Sequence, residues 1–324
     1  VKNQDLNNQE CPIPKLSFVR QEKLPSQRPK PAFDDRDVPK MIKQLQESPN
    51  YRIADEDPDF LREDAVRGMR LQADYLKTEL LLKKFGIHHT IVVFGGTRIV
   101  EASEARRKLH KIQRALEQNP YDETLLLKLQ VAQNILKKSS FYEISREFGR
   151  IVGLSGAGAS DCRLTIMTGG GPGIMEAANR GAFDVGAKSI GLNISLPHEQ
   201  FPNPYISPEL CFRFHYFSMR KLHFFNRAKA LVAFPGGYGT MDELIEALTL
   251  IQTRKIVPFP IVLVGREFWE KTINFEHLLN EGVIDAEDLK LFWYAQNAQE
   301  IWDYILLWYK ENNLCLIESD STKE

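Results

Sequence analysis

Phe234-Pro235-Gly236-Gly237-Tyr238-Gly239-Thr240-Met241-Asp242-Glu243 decides how the rest of the chain is read. The apolar run Ala228 to Ala233 before it reads as a buried strand, and the apolar residues of Leu244 to Leu250 after it fit a helix. The stretch is therefore a strand-to-helix turn. Gly236, Gly237 and Gly239 free its backbone for positive φ and put no Cβ between the amides and an approaching ligand. Thr240 is placed to cap the helix, whose first N–H groups have no internal partner. Those donors, with the positive end of the helix dipole, suit a phosphate or carboxylate. Glu243 stands at the edge of that site, where a carboxylate is poorly suited to phosphate binding and points instead to chemistry. A plainer reading fits the same residues: Thr240-x-x-Glu243 is also a capping box, and Pro-Gly-Gly is ordinary turn punctuation.

Upstream, Thr168-Gly169-Gly170-Gly171-Pro172-Gly173-Ile174-Met175-Glu176 repeats the pattern of strand, glycine turn and helix. Two such turns on one sheet would set two groups of free amides around one crevice at the carboxyl ends of the strands. Neither has the full G-x-G-x-x-G spacing, and no G-x-x-x-x-G-K-[S/T] is present, so a small phosphate ester is favoured over a dinucleotide or triphosphate. A third candidate is Gly95-Gly96, after the apolar strand His89 to Phe94, where a plain tight turn is the other reading. Glu176 reads as a first-turn helix residue with a dipole role. The aromatic run Phe214, His215, Tyr216 and Phe217 offers either core residues or a stacking wall for a base, and His198 with Glu199 either a lid or a surface loop.

Around these turns the chain alternates. Residues 1–35 carry five prolines among polar residues and read as an arm, followed by helical segments at Val38 to Ser48 and from Pro58 to Leu82, with Gly86 as a C-cap. Glu101 to Lys138 reads as a charged helical hairpin broken at Asn119-Pro120, and Phe141 to Val152 as an amphipathic helix. Strands follow at Arg163 to Met167, Ser189 to Ile194 and Glu209 to Tyr216, with a proline-rich loop over 196–205 and a helix from Phe217. Beyond the central turn come a strand at Phe259 to Val264, helices from Glu267 and from Ala286, an apolar segment at Leu291 to Tyr294, a helix from Ala298 to Tyr309 and a polar tail. Such alternation from 89 to 309 predicts an α/β fold, a parallel sheet covered on both faces.

The composition, 43% hydrophobic and 26% charged over 324 residues, suffices for a full core. With 42 Lys and Arg against 43 Asp and Glu, the net charge of -1 gives no electrostatic reason to expect nucleic acid or an anionic membrane. Cys11, Cys162, Cys211 and Cys315 form no C-x-x-C pair and read as reduced structural thiols, with no metal site. There is no signal-like segment at the start and no apolar run of the ~20 residues that span a bilayer, so a cytoplasmic protein is expected.

Pro235 to Glu243, Gly169 to Glu176 and Met219-Arg220-Lys221 together resemble the motifs of the LOG (Lonely Guy) family, once widely labelled "possible lysine decarboxylase". The resemblance covers residues 88 to about 310, and the long N-terminal region and the hairpin are similar to the larger bacterial branch. It implies a Rossmann-like sheet with helices on both faces, N-terminal helices (36–87), an inserted hairpin (101–138) and a tail (313–324). It also implies a phosphoribohydrolase that cleaves a nucleoside 5′-monophosphate into free base and ribose 5-phosphate, working as a homodimer or larger homo-oligomer without a cofactor. Carried over position by position, Arg220 and Glu243 are the catalytic pair. The nucleotide and its phosphate fall to Pro235, Gly236, Gly237, Gly239, Thr240, Met219, Lys221, the turn Gly169, Gly170 and Gly171, and Gly95 with Gly96, where the chain departs from the Phe-Gly-Ser often found in the family. A first-turn position and the nearby Arg220 should keep Glu243 ionised. No residue marks a pyridoxal phosphate lysine. The alternative class is a nucleotide sensor or carrier on the same fold that cuts no bond.

Overall fold

In the strand His89–Phe94 (β1), Ile91 and Val93 enter one hydrophobic cluster while Val92 and Phe94 enter another, the period-two alternation of a strand covered on both faces. Every other strand follows it in parallel: Leu164–Thr168 (β2), Ser189–Ile194 (β3), Cys211–Phe214 (β4), Ala228–Ala233 (β5), Ile261–Val264 (β6) and Phe292–Ala295 (β7). Their order across the sheet is β4-β3-β2-β1-β5-β6-β7. The chain steps outward from β1 to β4, returns to β1's other edge at β5 and steps outward again. The reversal lies between β1 and β5, where open α/β sheets form their ligand crevice at the strands' carboxyl ends.

This computed structural model describes residues 24, 30–156, 158, 161, 163–197 and 201–317. Most of the arm expected over 1–35, the last residues of the tail, and Cys11, Cys162, His198 and Glu199 lie outside the described residues. The chain divides into two compact units, 1–67 and 68–324. The first carries the helices Val38–Gln46 (α1) and Pro58–Arg62 (α2), the latter capped by Asp57, whose carboxylate accepts from the amides of Asp59 and Phe60. The expected long helix from Pro58 is interrupted: Glu63 is extended, a 3-10 turn spans Asp64–Val66, and the helix resumes as Arg67–Lys84 (α3). The five-position step from Leu61 to Val66 falls off one helical stripe, and the helix breaks there.

In the second unit one face of the sheet is covered by α3 through Leu82, by Phe217–Asn226 (α8) through Phe224 and Phe225, and by Tyr238–Gln252 (α9) through Leu244, Ala247 and Ile251. The other face is covered by Ser140–Gly153 (α6), Ile174–Asp184 (α7) and Ala298–Glu311 (α12), through Phe148, Ile174, Ile301 and Ile305. The predicted hairpin is present as Ala102–Gln118 (α4) and Glu123–Lys138 (α5), and Gly86 closes α3 in the left-handed region at φ 70°. Helix α10 runs Arg266–Thr272.

The helix expected from Ala286 is a correction. The helix lies earlier, at Phe275–Asn280 (α11), where Asn274 accepts from the His277 amide at 2.9 Å. Gly282 then turns left-handed, and Asp288 bonds the Asp285 amide at 2.8 Å, leaving only a 3-10 turn at Asp288–Lys290. Among the described residues no helix is long and apolar enough to cross a membrane.

Candidate active site

The three glycine turns meet at the reversal point, joined by main chain. The Gly96 amide donates to Pro235 O at 2.9 Å, and the Gly96 carbonyl accepts from the Ile174 amide at 3.3 Å. Contact this close requires glycine: a Cβ on Gly173 (φ 75°) would lie 2.4 Å from Gly96 O, and one on Gly95 would lie 2.5 Å from the Ile174 side chain. Between the turns is a cavity of about 290 Å³, bordered by Gly95, Gly96, Arg220, Gly237, Gly239, Thr240 and Glu243, with Thr97, Met175, Phe217 and Tyr238 at its walls. That volume sits at the small end of ligand pockets, which run from roughly 300 to 1,000 Å³. A larger cavity, about 590 Å³, opens at the opposite end of the strands near His89, Lys229 and Tyr309, and holds none of the motif residues.

Gly237, not Thr240, is the N-cap of α9, so Thr240 lies inside the first helical turn with its amide bonded to Gly237 O at 3.0 Å. Glu243 is then one turn further in and forms no capping box. The helix leaves the amides of Tyr238 and Gly239 at its open end. Gly237 and Gly239 border open space, whereas a Cβ on Gly236 would lie 2.1 Å from Thr240 Oγ1. Gly239→Ala therefore tests the turn without disturbing the fold. Alanine suits a helix better than glycine by ~1 kcal/mol, so the thermal midpoint should hold or rise. Its methyl stands where an anion would approach, and calorimetry should show inorganic phosphate binding about 10- to 100-fold weaker, the worth of one hydrogen bond to a charged group.

Glu243 is buried at 3% exposure, and its Oε2 has no hydrogen-bond partner. Burial pushes its carboxyl up from 4.5 to about 7, against the opposing pull of Lys221 and Arg220. The expectation of a firmly ionised Glu243 is thus overturned, because desolvation outweighs both cations. Lys221 Nζ lies 3.9 Å from Glu243 Oε2 but bonds elsewhere, to Glu246 at 2.6 Å and Asp242 at 2.9 Å. Arg220 forms no ion pair with Glu243. Its Nε donates to Leu192 O at 2.7 Å, and its guanidinium lies 5.0 Å from the Phe224 ring centroid. Burial pulls the Arg220 pKa down while the charge of Glu243 pushes it up.

In the second turn one amide is already taken. The Gly170 amide is bonded to Thr168 Oγ1 at 3.0 Å, and the Gly170 and Gly171 carbonyls accept from the amide and side chain of Asn203 at 2.9 and 3.1 Å. Gly169 gives room to the Arg220 guanidinium, which a Cβ would meet at 2.4 Å. Gly169 therefore serves the cavity through Arg220. Met219 packs on the core, and Pro235 ties the turns together. Glu176 accepts from Tyr142 Oη at 2.8 Å. Asn203, which braces the second turn, was not among the sequence candidates; the available signal was a lone asparagine between two prolines. Gly170 has φ 73°, and its Cβ would lie 2.5 Å from the Asn193 amide, so Gly170→Ala should cost about 1–2 kcal/mol in denaturant unfolding.

The parallel order and the reversal point define a Rossmann-like α/β protein with a crevice at the carboxyl ends of its strands. A family model described as possible lysine decarboxylase matches residues 175–305. Three rice (Oryza sativa subsp. japonica) proteins are similar. Over 143 residues the chain is 30% identical to the probable cytokinin riboside 5′-monophosphate phosphoribohydrolase LOG4, covering 43% of this chain and 60% of that one. It is 26% identical over 170 residues to the cytokinin riboside 5′-monophosphate phosphoribohydrolase LOG, covering 51% and 66%, and 26% identical over 147 residues to the probable enzyme LOGL3, covering 43% and 65%. The chain thus spans about two thirds or less of each of these relatives' lengths. These similarities, at low identity, agree with the resemblance to the LOG family read from the motifs. Among solved structures, the X-ray structure of TM1055 is 21% identical with TM-score 0.42, covering 68% of this chain and 99% of that one. The molybdenum cofactor binding protein of Rippkaea orientalis is 20% identical with TM-score 0.35, covering 52% and 86%. The fold assignment rests on the strand order itself.

Proposed function

We propose that the chain hydrolyses the N-glycosidic bond of nucleoside 5′-monophosphates, releasing the base and ribose 5-phosphate. The observation that carries this is Glu243, a buried carboxyl with an unpartnered oxygen, bordering a small cavity whose other wall is the open start of a helix. A phosphate on the amides at Tyr238 and Gly239 sets the sugar within the same cavity as the acid. As the C1′–N bond breaks, positive charge grows on the sugar, and an ionised Glu243 stabilises it. The same carboxylate takes a proton from the attacking water; the water oxygen bonds C1′, and the base leaves with the bond pair and gains a proton. A carboxyl titrating near 7 is matched to that exchange at neutral pH. The names of the rice relatives support the same substrate class.

Chromatography of AMP, GMP, CMP and UMP reactions tests the proposal. Free base and ribose 5-phosphate in equal amounts are expected. Nucleotide binding with no base released from any of the four would instead identify a sensor or carrier.

A further inference from the structure

The aromatic run at the start of α8 separates in the fold. Phe214 is 1% exposed in the core. His215 stands edge-on to Tyr216, with ring centroids 4.5 Å apart, and Tyr216 Oη accepts from Arg70 Nε at 3.1 Å. Phe217 differs. It is 49% exposed, and of the four it is the one bordering the cavity. Asp74 of α3 holds it there: one carboxylate oxygen takes the amides of His215 at 2.8 Å and Tyr216 at 2.9 Å, fixing the helix start that no side chain of its own caps. The Arg220 guanidinium lies 6.0 Å from the Phe217 ring centroid.

One cavity therefore presents hydrogen-bond donors for an anion at the start of α9 and a half-bare aromatic face at the start of α8. A ligand that satisfies both has a charged group and a flat π-system within one small molecule. We infer that Phe217 is the platform on which the nucleotide base stacks, and that through it the site prefers purine to pyrimidine monophosphates. The larger purine covers more of the ring, and stacking scales with the covered π-face. The inference rests on the substrate class proposed above and adds the residue that selects within it.

Calorimetry with AMP, CMP and ribose 5-phosphate separates base contacts from phosphate contacts, with Glu243→Gln present throughout to suppress turnover. Phe217→Ala and Phe217→Leu should weaken AMP about 10-fold or more and CMP less, with ribose 5-phosphate held within about twofold. Phe217→Trp should restore AMP. Phe217→Leu keeps the apolar volume and so guards against a folding defect in the alanine variant. Unchanged AMP affinity, or equal losses for AMP and ribose 5-phosphate, would overturn the platform. A selective loss of AMP in a protein whose wild type releases no base would keep the platform and remove the hydrolysis. Base release by the wild type with AMP affinity untouched in Phe217→Leu would do the reverse.

Discussion

Glu243→Gln is expected to lower the proposed base release from AMP by ~100-fold or more, the usual weight of a positioned acid/base group. The change is nearly isosteric, so the cavity keeps its shape while the site loses both a negative charge and a proton acceptor. Stability should move the other way. The Glu243 carboxyl titrates at about 7 in the folded chain against an ordinary 4.5. Below the ordinary value both folded and unfolded chains hold the proton, and the residue adds no pH dependence. Between the two values the unfolded chain releases the proton and the folded chain keeps it, so stability falls as pH rises; above 7 the loss is complete. At ~1.4 kcal/mol per pH unit, this destabilisation is at most about 3.5 kcal/mol. Glutamine should therefore raise unfolding stability by roughly 1–3 kcal/mol at pH 8 and by little at pH 4. Urea unfolding at both pH values, beside the activity assay, checks the two halves together. An inactive variant with no gain at pH 8 would mean that the acid is not desolvated as described.

Arg220→Gln is the second large effect, with about a 100-fold loss of base release expected at pH 7, the scale of removing one charged donor from a preorganised site. Its cause can be read from a pH profile. In the wild type, kcat/KM should rise about tenfold per pH unit up to ~7 and then level, as an ionised Glu243 is required. The Arg220 charge favours that ionised form, so its removal moves the inflection upward. Recovery of most of the lost rate by pH 9, with KM for AMP unchanged, would assign Arg220 to holding the charge of Glu243. A raised KM with an unmoved inflection would assign it to the ligand. Lysine is a poor substitute, because the guanidinium is fixed by its Nε bond to Leu192 O and fits over Gly169.

How much of this was legible follows the range of each interaction. Strands β3 and β5 fall where their apolar runs put them, and the glycine turns fall where strand gives way to helix, because period and punctuation are local. Convergence of the turns followed from alternation alone, since parallel strands share one carboxyl edge. Glu243 borders the cavity, but its state was not legible: its burial depends on elements far along the chain, and no spacing encodes desolvation. The bond from Asn203 to Gly170 was not legible for the same reason, as Asn203 comes from a proline-rich loop. Thr240 was misplaced by a local rule, the capping box, that lost to an equally local one, the freedom of Gly237 to take the cap position.

The two bonds made by Gly96 have a mechanical consequence. With its amide on Pro235 and its carbonyl on Ile174, one peptide corner acts as a rivet through all three loops, so no loop can swing outward alone without breaking a main-chain bond. Admission of a ligand then belongs to the side chains at the mouth, above all Tyr238, which stands 96% exposed beside a frame that does not hinge.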